Sequence, residues 1–491
     1  MSSFPLFSSC YDDKGSHAMD TVNADKKSLS AAVMALILRL HFYIGLFVGP
    51  FIFVAALTGT LYVLTPQIEE RLYTQQLHVD MPGAAQPLAA QIAAAQAVLA
   101  DQPSAQWLAI RPAPTPHDTS RVLFRFPDAA PSEYLAVFVN PSTLAIQGQL
   151  TVYGTSGILP LRTWLDRLHQ GLFLGSIGRL YSELAASWLW IAALGGVYLW
   201  WRTRKPARTA PRRKLPLTAR LRAIHSTLGL TLLIGMLFFS ATGLTWSQWA
   251  GNNIGVWRNA LGWQTPTLNT AQGTHSATAV QDAHAEHHGA AMAHHAAPPL
   301  VLDNVDSVLA IARHAGISAN KLEIRPAKSA HNAWTVTEIE RRWPTQADMV
   351  AINPDSGAVV DYIRFADYPV AAKLTRWGVD AHMGVLFGLP NQLILAAFGL
   401  GLCTLIVWGY RLWWLRRQRP GGQPHPANTL CAAFTTLPLA VRLLVGCLAL
   451  LLGGSLPVMG VSSLMFLLID IVRWRRHQAL QNADALPHAP Q

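Results

Sequence analysis

Two stretches of this chain decide its fold, Leu161–Gly175 (LRTWLDRLHQGLFLG) and Leu374–Gly388 (LTRWGVDAHMGVLFG). They share the pattern L-x2-W-x4-H-x-G-x3-G, and their histidines, His169 and His382, are 213 positions apart (382 − 169). Each stretch precedes a long apolar segment, and these segments end in tryptophan pairs with the same offset, Trp200-Trp201 and Trp413-Trp414. About 20 apolar residues suffice to cross the hydrocarbon core of a bilayer. The sequence therefore predicts two membrane helices, each beginning shortly after a histidine.

The composition is typical of a membrane protein with polar regions. Of 491 residues, 51% are hydrophobic and only 13% are charged, against about 25% charged in soluble domains. The net charge of +11 is concentrated beside apolar segments, which favours membrane lipid and not nucleic acid as a partner. The four cysteines lie outside the large polar regions, so neither a disulfide scaffold nor a cysteine-ligated cluster is expected.

A second correspondence links the first and third apolar segments. His41-x3-Gly45-Leu46 aligns with His225-x3-Gly229-Leu230 at an offset of 184 (225 − 41), and Thr58-Gly59 aligns with Thr242-Gly243. The two offsets differ by 29 (213 − 184), which is the length of a histidine-rich stretch, 271–299. These matches predict one unit used twice, with the histidine-rich linker added to the second copy.

Charge clusters orient the predicted spans. Residues 202–222 contain nine Lys or Arg and no acid, so the positive-inside rule places this loop in the cytoplasm. Both termini then lie in the cytoplasm, and the chain is expected in the inner membrane of a bacterium.

In chain order we predict a cytoplasmic tail 1–33, a first span 34–64, a periplasmic domain 65–163, a histidine segment with the second span 164–201, the basic loop 202–222, a third span 223–246, a second periplasmic domain 247–376, a histidine segment with the fourth span 377–415, two short spans within 438–472, and a cytoplasmic tail 473–491.

The predicted fold is a polytopic α-helical membrane protein. It has an internally duplicated four-helix core, two C-terminal spans and two α+β periplasmic domains. In the first domain a short helix precedes strand-like runs such as RVLFRF (121–126) and YLAVFVN (134–140). In the second, a helical stretch at 305–315 precedes strand-like runs at 334–339 and 349–353.

The predicted topology brings the four histidines together in pairs. His41 and His225 begin outward-running helices at the cytoplasmic edge, whereas His169 and His382 precede inward-running helices at the periplasmic edge. Two neutral imidazoles at one depth in an apolar bundle are what a bis-histidine haem b requires. We therefore predict two haems b, one for each pair. A copper or zinc site is the alternative, which the absence of nearby cysteines or suitably spaced carboxylates disfavours.

Residues near the histidines are candidates for supporting roles. Four glycines would let a flat macrocycle approach the backbone, although close helix packing explains them equally well, namely Gly45, Gly171, Gly229 and Gly384. Arg39 would pair a haem propionate or act as a positive-inside anchor. Arg179 would form an ion pair with Glu183 or line the periplasmic site.

The linker 271–299 has a low-complexity, metal-binding composition. Its histidine spacing is irregular, so it would gather metal loosely, or else serve as a disordered spacer. The candidate metal ligands are His284, His287, His288, His294 and His295.

Several of these motifs resemble the PepSY-associated transmembrane family over about residues 35–475. They are the R-L-H-x3-G-L opening of the first span, the VNP and INPDSG turns (139–141 and 352–357), and HQG followed by ELAASW (169–171 and 183–188). The resemblance implies an iron-regulated inner-membrane reductase that uses bis-histidine haems to release iron from ferric siderophores. Its ligands would be the same four histidines. The second copy departs from the family pattern, with Ile394–Phe398 in place of the ELAASW run.

The sequence thus favours a two-haem oxidoreductase, a metalloreductase for iron uptake. No G-x-G-x-x-G motif follows a strand, so membrane quinol or a separate reductase is the expected electron donor, and a ferric siderophore or another metal chelate the acceptor. Two other functions remain open. One is a periplasmic copper- or iron-handling protein without haem, and the other is an interaction or protease-inhibiting module on a membrane anchor.

Overall fold

The computed structural model describes residues 14–204, 216–272, 304–417 and 429–484. The α-helices are α1 Lys14–Tyr43, α2 Gly49–Val63, α3 Pro66–Leu72, α4 Thr74–Leu77, α5 Leu88–Ala97, α6 Pro160–Gly171, α7 Gly175–Thr203, α8 Leu217–Thr231, α9 Leu233–Thr245, α10 Trp249–Ala260, α11 Asn304–Ala315, α12 Val370–His382, α13 Leu389–Arg417, α14 Leu430–Thr435, α15 Leu439–Ser455 and α16 Pro457–Asp484. A π-helix, Ile44–Val48, joins α1 to α2, and a 3-10 helix covers Phe365–Asp367.

Among the described residues, four helical segments are long and apolar enough to cross a membrane, which makes this chain a membrane protein in contact with lipid. They are Leu29–Val63, Gly175–Thr203, Leu389–Arg417 and Pro457–Ala479. The pair α8 and α9 passes the same test when taken together, with a bend of 56° between its halves. The helix α15 is apolar but has only 17 residues. Within the described residues, four or five spans therefore meet the length criterion, where six were predicted.

The strands form one antiparallel sheet. They are β1 Gln106–Arg111, β2 Ser120–Arg125, β3 Glu133–Val139, β4 Ile146–Tyr153, β5 Leu322–Arg325, β6 Trp334–Glu338, β7 Met349–Ile352 and β8 Val359–Ile363. The order in the sheet is β4-β3-β2-β1-β5-β6-β7-β8. Each run of four strands is a meander, and the two meanders meet where Ile110 of β1 pairs with Ile324 of β5. The two α+β regions expected from the sequence thus share a single sheet.

One face of the sheet is covered by α5 and α11. Alternating strand residues point to opposite faces, so β2 turns Val122 and Phe124 to this side. The core beneath the helices includes Ile92 of α5, Val308 of α11 and the strand residues Ile110 and Ile324. Trp107 and Trp334 also meet here, with ring centroids 5.8 Å apart. Because Ile110 and Val122 point into this core, their strand neighbours Arg111 and Arg121 point to the opposite face of the sheet.

The described residues fall into two compact units. One comprises the described residues within Met1–Pro50, Ser187–Leu237 and Thr404–Gln491, and the other comprises those within Phe51–Ala186 and Phe238–Cys403. The second unit contains the whole sheet. Each unit holds one pair of the four histidines singled out above.

Candidate functional site

His41 and His225, here called the 41/225 pair, lie side by side on α1 and α8, with ring centroids 6.5 Å apart. The Nδ1 atom of His41 is 3.0 Å from the carbonyl oxygen of Ala192, and that of His225 is 3.2 Å from the carbonyl oxygen of Leu405. A carbonyl oxygen can only accept a hydrogen bond, so the network assigns the hydrogen to Nδ1 in each ring. The lone pair of each imidazole is then on Nε2.

The surroundings of the 41/225 pair repeat at the offset of 213. Ala192 and Leu405 are related by it, and so are two glycines, Gly196 and Gly409. A Cβ atom added at Gly196 would lie 3.2 Å from Cε1 of His41, and one added at Gly409 would lie 3.4 Å from Cε1 of His225. The absence of a side chain therefore lets both rings pack against the facing helix. Sequence reasoning missed these glycines, although each stands four residues before a tryptophan pair.

His169 and His382, here called the 169/382 pair, also have ring centroids 6.5 Å apart. Their Nδ1 atoms lie 3.0 Å from Oγ1 of Thr58 and 2.7 Å from Oγ1 of Thr242, respectively. Each threonine hydroxyl donates its own hydrogen to the carbonyl four residues earlier in its helix. Its oxygen is therefore left to accept from the imidazole, which again assigns the hydrogen to Nδ1. The sequence shows that Thr58 matches Thr242, but it does not show that these threonines bind the histidines.

The 169/382 pair is neutral at physiological pH. Burial lowers the pKa of His169 to about 4 and that of His382 to about 3, because charged imidazolium is poorly solvated there. Aromatic rings enclose His382, with Phe239 at 4.8 Å and Trp246 at 5.4 Å between centroids. In the described part of the chain, no hydrogen bond reaches Nε2 of any of the four histidines. Each pair thus offers two basic nitrogens without a protein partner.

The donor set of each pair fits a haem iron. Consider two imidazole rings that bind one metal ion. Each metal–nitrogen bond is about 2 Å long and each nitrogen lies about 1 Å from its ring centroid, so the two centroids would be about 6 Å apart. Both pairs match that separation. No group of three or more His, Cys, Asp or Glu residues suited to a metal ion occurs among the described residues, whereas tetrahedral zinc needs more than two protein ligands. A haem needs only the two axial ligands, since its macrocycle supplies the others.

The four predicted glycines lie near the histidines but differ in surroundings. A Cβ atom at Gly45 would meet no atom within 4 Å, and one at Gly229 would touch only Leu405, at 3.9 Å. Gly171 packs against Gly178, where a Cβ atom would overlap the carbonyl oxygen of Gly171, so this contact holds α6 close to α7. Gly384 has a φ of +74°, which the turn after His382 requires. Backbone geometry therefore explains Gly384 without a cofactor, whereas the close approach of α6 to α7 requires glycine at Gly178 and leaves ordinary contact distances at Gly171.

The predicted arginines do not contact the histidine rings. Arg179 donates to the side chain of Gln170 at 2.6 Å and to the carbonyl oxygen of Trp246 at 2.8 Å. Glu183 is fully buried and accepts two backbone N–H groups in the first turn of α10. It therefore caps α10 and, within the described residues, makes no ion pair with Arg179. Arg39 lies on α1 two residues before His41. The linker histidines, 284, 287, 288, 294 and 295, lie outside the described residues.

Comparison with protein families identifies one matching model. The model described as the PepSY-associated TM region matches residues 38–416, which is most of the chain. The matched range includes all four histidines and the whole sheet. A comparison with curated proteins finds no match.

Proposed function

The chain belongs to the PepSY-associated transmembrane family, and on that premise we propose that it is a two-haem transmembrane oxidoreductase. It would pass electrons from the cytoplasmic or quinol side of the membrane to a ferric siderophore or another oxidised metal chelate in the periplasm, for iron acquisition. One observation carries the proposal. Two pairs of histidines, each at a centroid separation of 6.5 Å, hold Nδ1–H in a hydrogen bond, and their Nε2 atoms have no hydrogen-bond partner among the described residues.

The chain's own residues prepare the imidazoles for ligation. The carbonyl groups of Ala192 and Leu405, and the hydroxyls of Thr58 and Thr242, fix the tautomer and the rotation of each ring. Such acceptors also raise the basicity of the ligating nitrogen. A bound haem b supplies a one-electron carrier. With two histidines holding each haem, other residues of the chain would have to hold the metal chelate.

The orientation across the membrane is part of the proposal. By the positive-inside rule, both termini would lie in the cytoplasm, the 41/225 pair at the cytoplasmic edge and the 169/382 pair at the periplasmic edge. The sheet would then be a periplasmic domain of an inner-membrane protein. A duplicated four-helix core is supported by the offset of 213, which relates Ala192 to Leu405 and also Gly196 to Gly409, each pair in equivalent contacts.

An absorption spectrum of the detergent-purified protein tests the proposal. After dithionite reduction we expect sharp α and β bands and, from the pyridine haemochrome, two haems b per chain. His41→Ala and His169→Ala should each remove one haem, because one axial ligand is lost. His314→Ala is the matched control, since His314 is exposed on α11 and should leave both haems in place. A colourless protein after haem-rich expression would overturn the proposal and favour a metal-handling protein without haem.

A further inference from the structure

A basic cavity of about 470 Å³ lies on the sheet face that α5 and α11 leave uncovered. The sheet contributes Arg111 and Arg121 to its lining, α6 contributes Arg162, and the turn after His382 contributes Met383 and Gly384. Cavities of about 300–1,000 Å³ are the usual size for small-molecule sites. All of these residues belong to the compact unit that holds the 169/382 pair.

Two arginines face each other across neighbouring strands in this cavity. Arg111 of β1 is the direct cross-strand partner of Arg121 of β2. Like charges directly opposite each other destabilise an antiparallel pair. A negatively charged ligand would therefore reduce the repulsion between Arg111 and Arg121.

Only one of these arginines has an acid partner. Arg111 forms a buried ion pair with Glu323 at 2.7 Å, and Glu323 also accepts from Arg325 at 2.6 Å. Arg121 makes no ion pair or hydrogen bond with any residue that the structure describes, and its guanidinium lies over the ring of Phe138 at 5.4 Å. Burial and the nearby Arg111 lower the pKa of Arg121 to about 10, so it remains a cation at neutral pH.

Arg162 brings a second incompletely satisfied guanidinium to the same cavity. Its Nη2 donates to the carbonyl oxygen of Met383 at 3.1 Å, and its plane lies over the ring of Tyr62 at 4.6 Å. Its Nε is buried and has no hydrogen-bond partner among the described residues. Arg162 is also about two helical turns before His169 on α6. Arg162 therefore contacts the residue that follows His382 and lies on the same helix as His169.

The acidic groups around the cavity already have partners. Glu70 and Asp118 both pair with His78, at 2.6 and 3.2 Å. Glu340 pairs with Lys321 at 3.2 Å, and Glu69 accepts the backbone N–H of Arg162 at 2.8 Å. Asp118, Glu70 and Glu69 act on Arg121 through space, but no described carboxylate forms an ion pair with its guanidinium. A direct anionic partner for it would come from a ligand.

We propose that this cavity binds a small carboxylate-bearing anion, with Arg121 and Arg162 as the guanidinium groups that hold it. Guanidinium is well suited to carboxylate because its planar N–H groups match the two oxygens. The anion could be a metal chelate that arrives from solution or a propionate of a haem on the 169/382 pair. The second source rests on the proposed function, whereas the first does not.

Ferric citrate is the probe, an anionic carboxylate chelate of iron, and neutral ferric tris-maltolate is the comparison ligand. Binding to the full-length protein is measured by calorimetry, and haem content by pyridine haemochrome, for wild type, Arg121→Gln and Arg121→Lys. The matched control is Arg125→Gln, since Arg125 lies on the same strand but outside the cavity lining. Thermal unfolding of each variant checks that the sheet is intact.

If the anion is a chelate, Arg121→Gln should weaken ferric citrate binding about tenfold or more, with partial rescue by lysine and no change in haem content. If it is a propionate, Arg121→Gln should lower the haem content or shift a haem midpoint potential, with citrate binding unaffected. A well-folded Arg121→Gln protein that matches wild type in both measurements overturns the inference. A haem-free protein with Arg121-dependent citrate binding would instead refute the proposed function and leave this site standing.

Discussion

At the residue scale, the four histidines differ in their neighbours but share one hydrogen-bonding arrangement. His41 and His225 each donate to a backbone carbonyl, whereas His169 and His382 each donate to a threonine hydroxyl. In each case Nδ1 is the donor, and the same ring nitrogen is left available. Acceptors of this kind are commonly needed for full metal affinity, since they orient the ligand and tune its basicity.

Replacing the acceptor should weaken ligation without removing the ligand. Thr58→Val and Thr242→Val are nearly isosteric and delete only the hydroxyl that accepts from His169 or His382. We expect haem affinity at the 169/382 pair to fall about tenfold to hundredfold, as measured by haem transfer to apomyoglobin.

Thr60→Val is the control for this prediction. Thr60 is buried in the same helix as Thr58, but its hydroxyl donates only to the carbonyl of Ala56. Equal haem loss from Thr60→Val and Thr58→Val would show that the hydroxyl of Thr58 has no particular role.

At the element scale, two helices approach the 41/225 pair through glycine. The helix α7 presents Gly196 to His41, and α13 presents Gly409 to His225. A side chain at either position would press on the ring, and protein interiors yield little to added methyl groups.

Gly196→Ala and Gly409→Ala should therefore disturb the 41/225 pair alone. The added methyl must displace the imidazole, at a cost of about 1–3 kcal/mol. We expect a changed electron paramagnetic resonance signal for one haem and an unchanged signal for the other. Gly446→Ala is the control, because a Cβ atom there meets nothing within 4 Å. An identical spectrum for Gly196→Ala and Gly446→Ala would contradict the packing argument.

The junction of β1 and β5 depends on one buried carboxylate. Burial alone would raise the pKa of Glu323, but Arg111 and Arg325 more than offset this and hold its pKa below the usual value for glutamate. Removing one partner of a buried ion pair leaves the other charge uncompensated. The two meanders of the sheet should therefore separate more easily when Glu323 is replaced.

Glu323→Gln should lower the free energy of unfolding of the sheet by about 3–5 kcal/mol, as measured by hydrogen exchange of the strand amides. A lowered folded pKa contributes stability above the unfolded pKa of about 4.3 and loses it as the pH falls through the folded value. The difference from wild type should therefore hold from neutral pH down to about pH 4.3 and shrink as the pH falls further. Glu340→Gln is the control, because Glu340 and Lys321 form a more exposed pair worth about 1 kcal/mol or less. Equal losses from the two substitutions would contradict the prediction.

At the scale of the whole molecule, one histidine pair lies in each compact unit. Under the proposed function, the two pairs hold two electron carriers of a single path. The proposed function therefore predicts that the pairs are not interchangeable.

Two double variants separate the pairs in proteoliposomes supplied with duroquinol and a ferric chelate. His41→Ala/His225→Ala should keep one haem that dithionite reduces and duroquinol does not. His169→Ala/His382→Ala should keep one haem that duroquinol reduces, while reduction of the chelate is lost. Wild-type rates of chelate reduction in either variant would rule out a path through both pairs.

Much of this protein could be predicted from its sequence. Hydropathy and basic clusters indicate a membrane protein because a bilayer imposes a length and a charge rule on each span separately. The repeated spacing of His41, His169, His225 and His382 is likewise visible in the chain itself. Family membership follows from the same motifs.

Only the tertiary structure decided which groups those histidines contact and how the strands join. Thr58 and His169 are 111 positions apart, and Arg111 and Glu323 are 212 positions apart. Their contacts depend on helix packing and on the pairing of β1 with β5, which local patterns do not specify. The pairing of β1 with β2 sets Arg111 and Arg121 on one sheet face, and only the tertiary structure brings them to one cavity with the turn that follows His382. Hydropathy and spacing act along the chain, whereas these contacts arise from the burial of distant segments against one another.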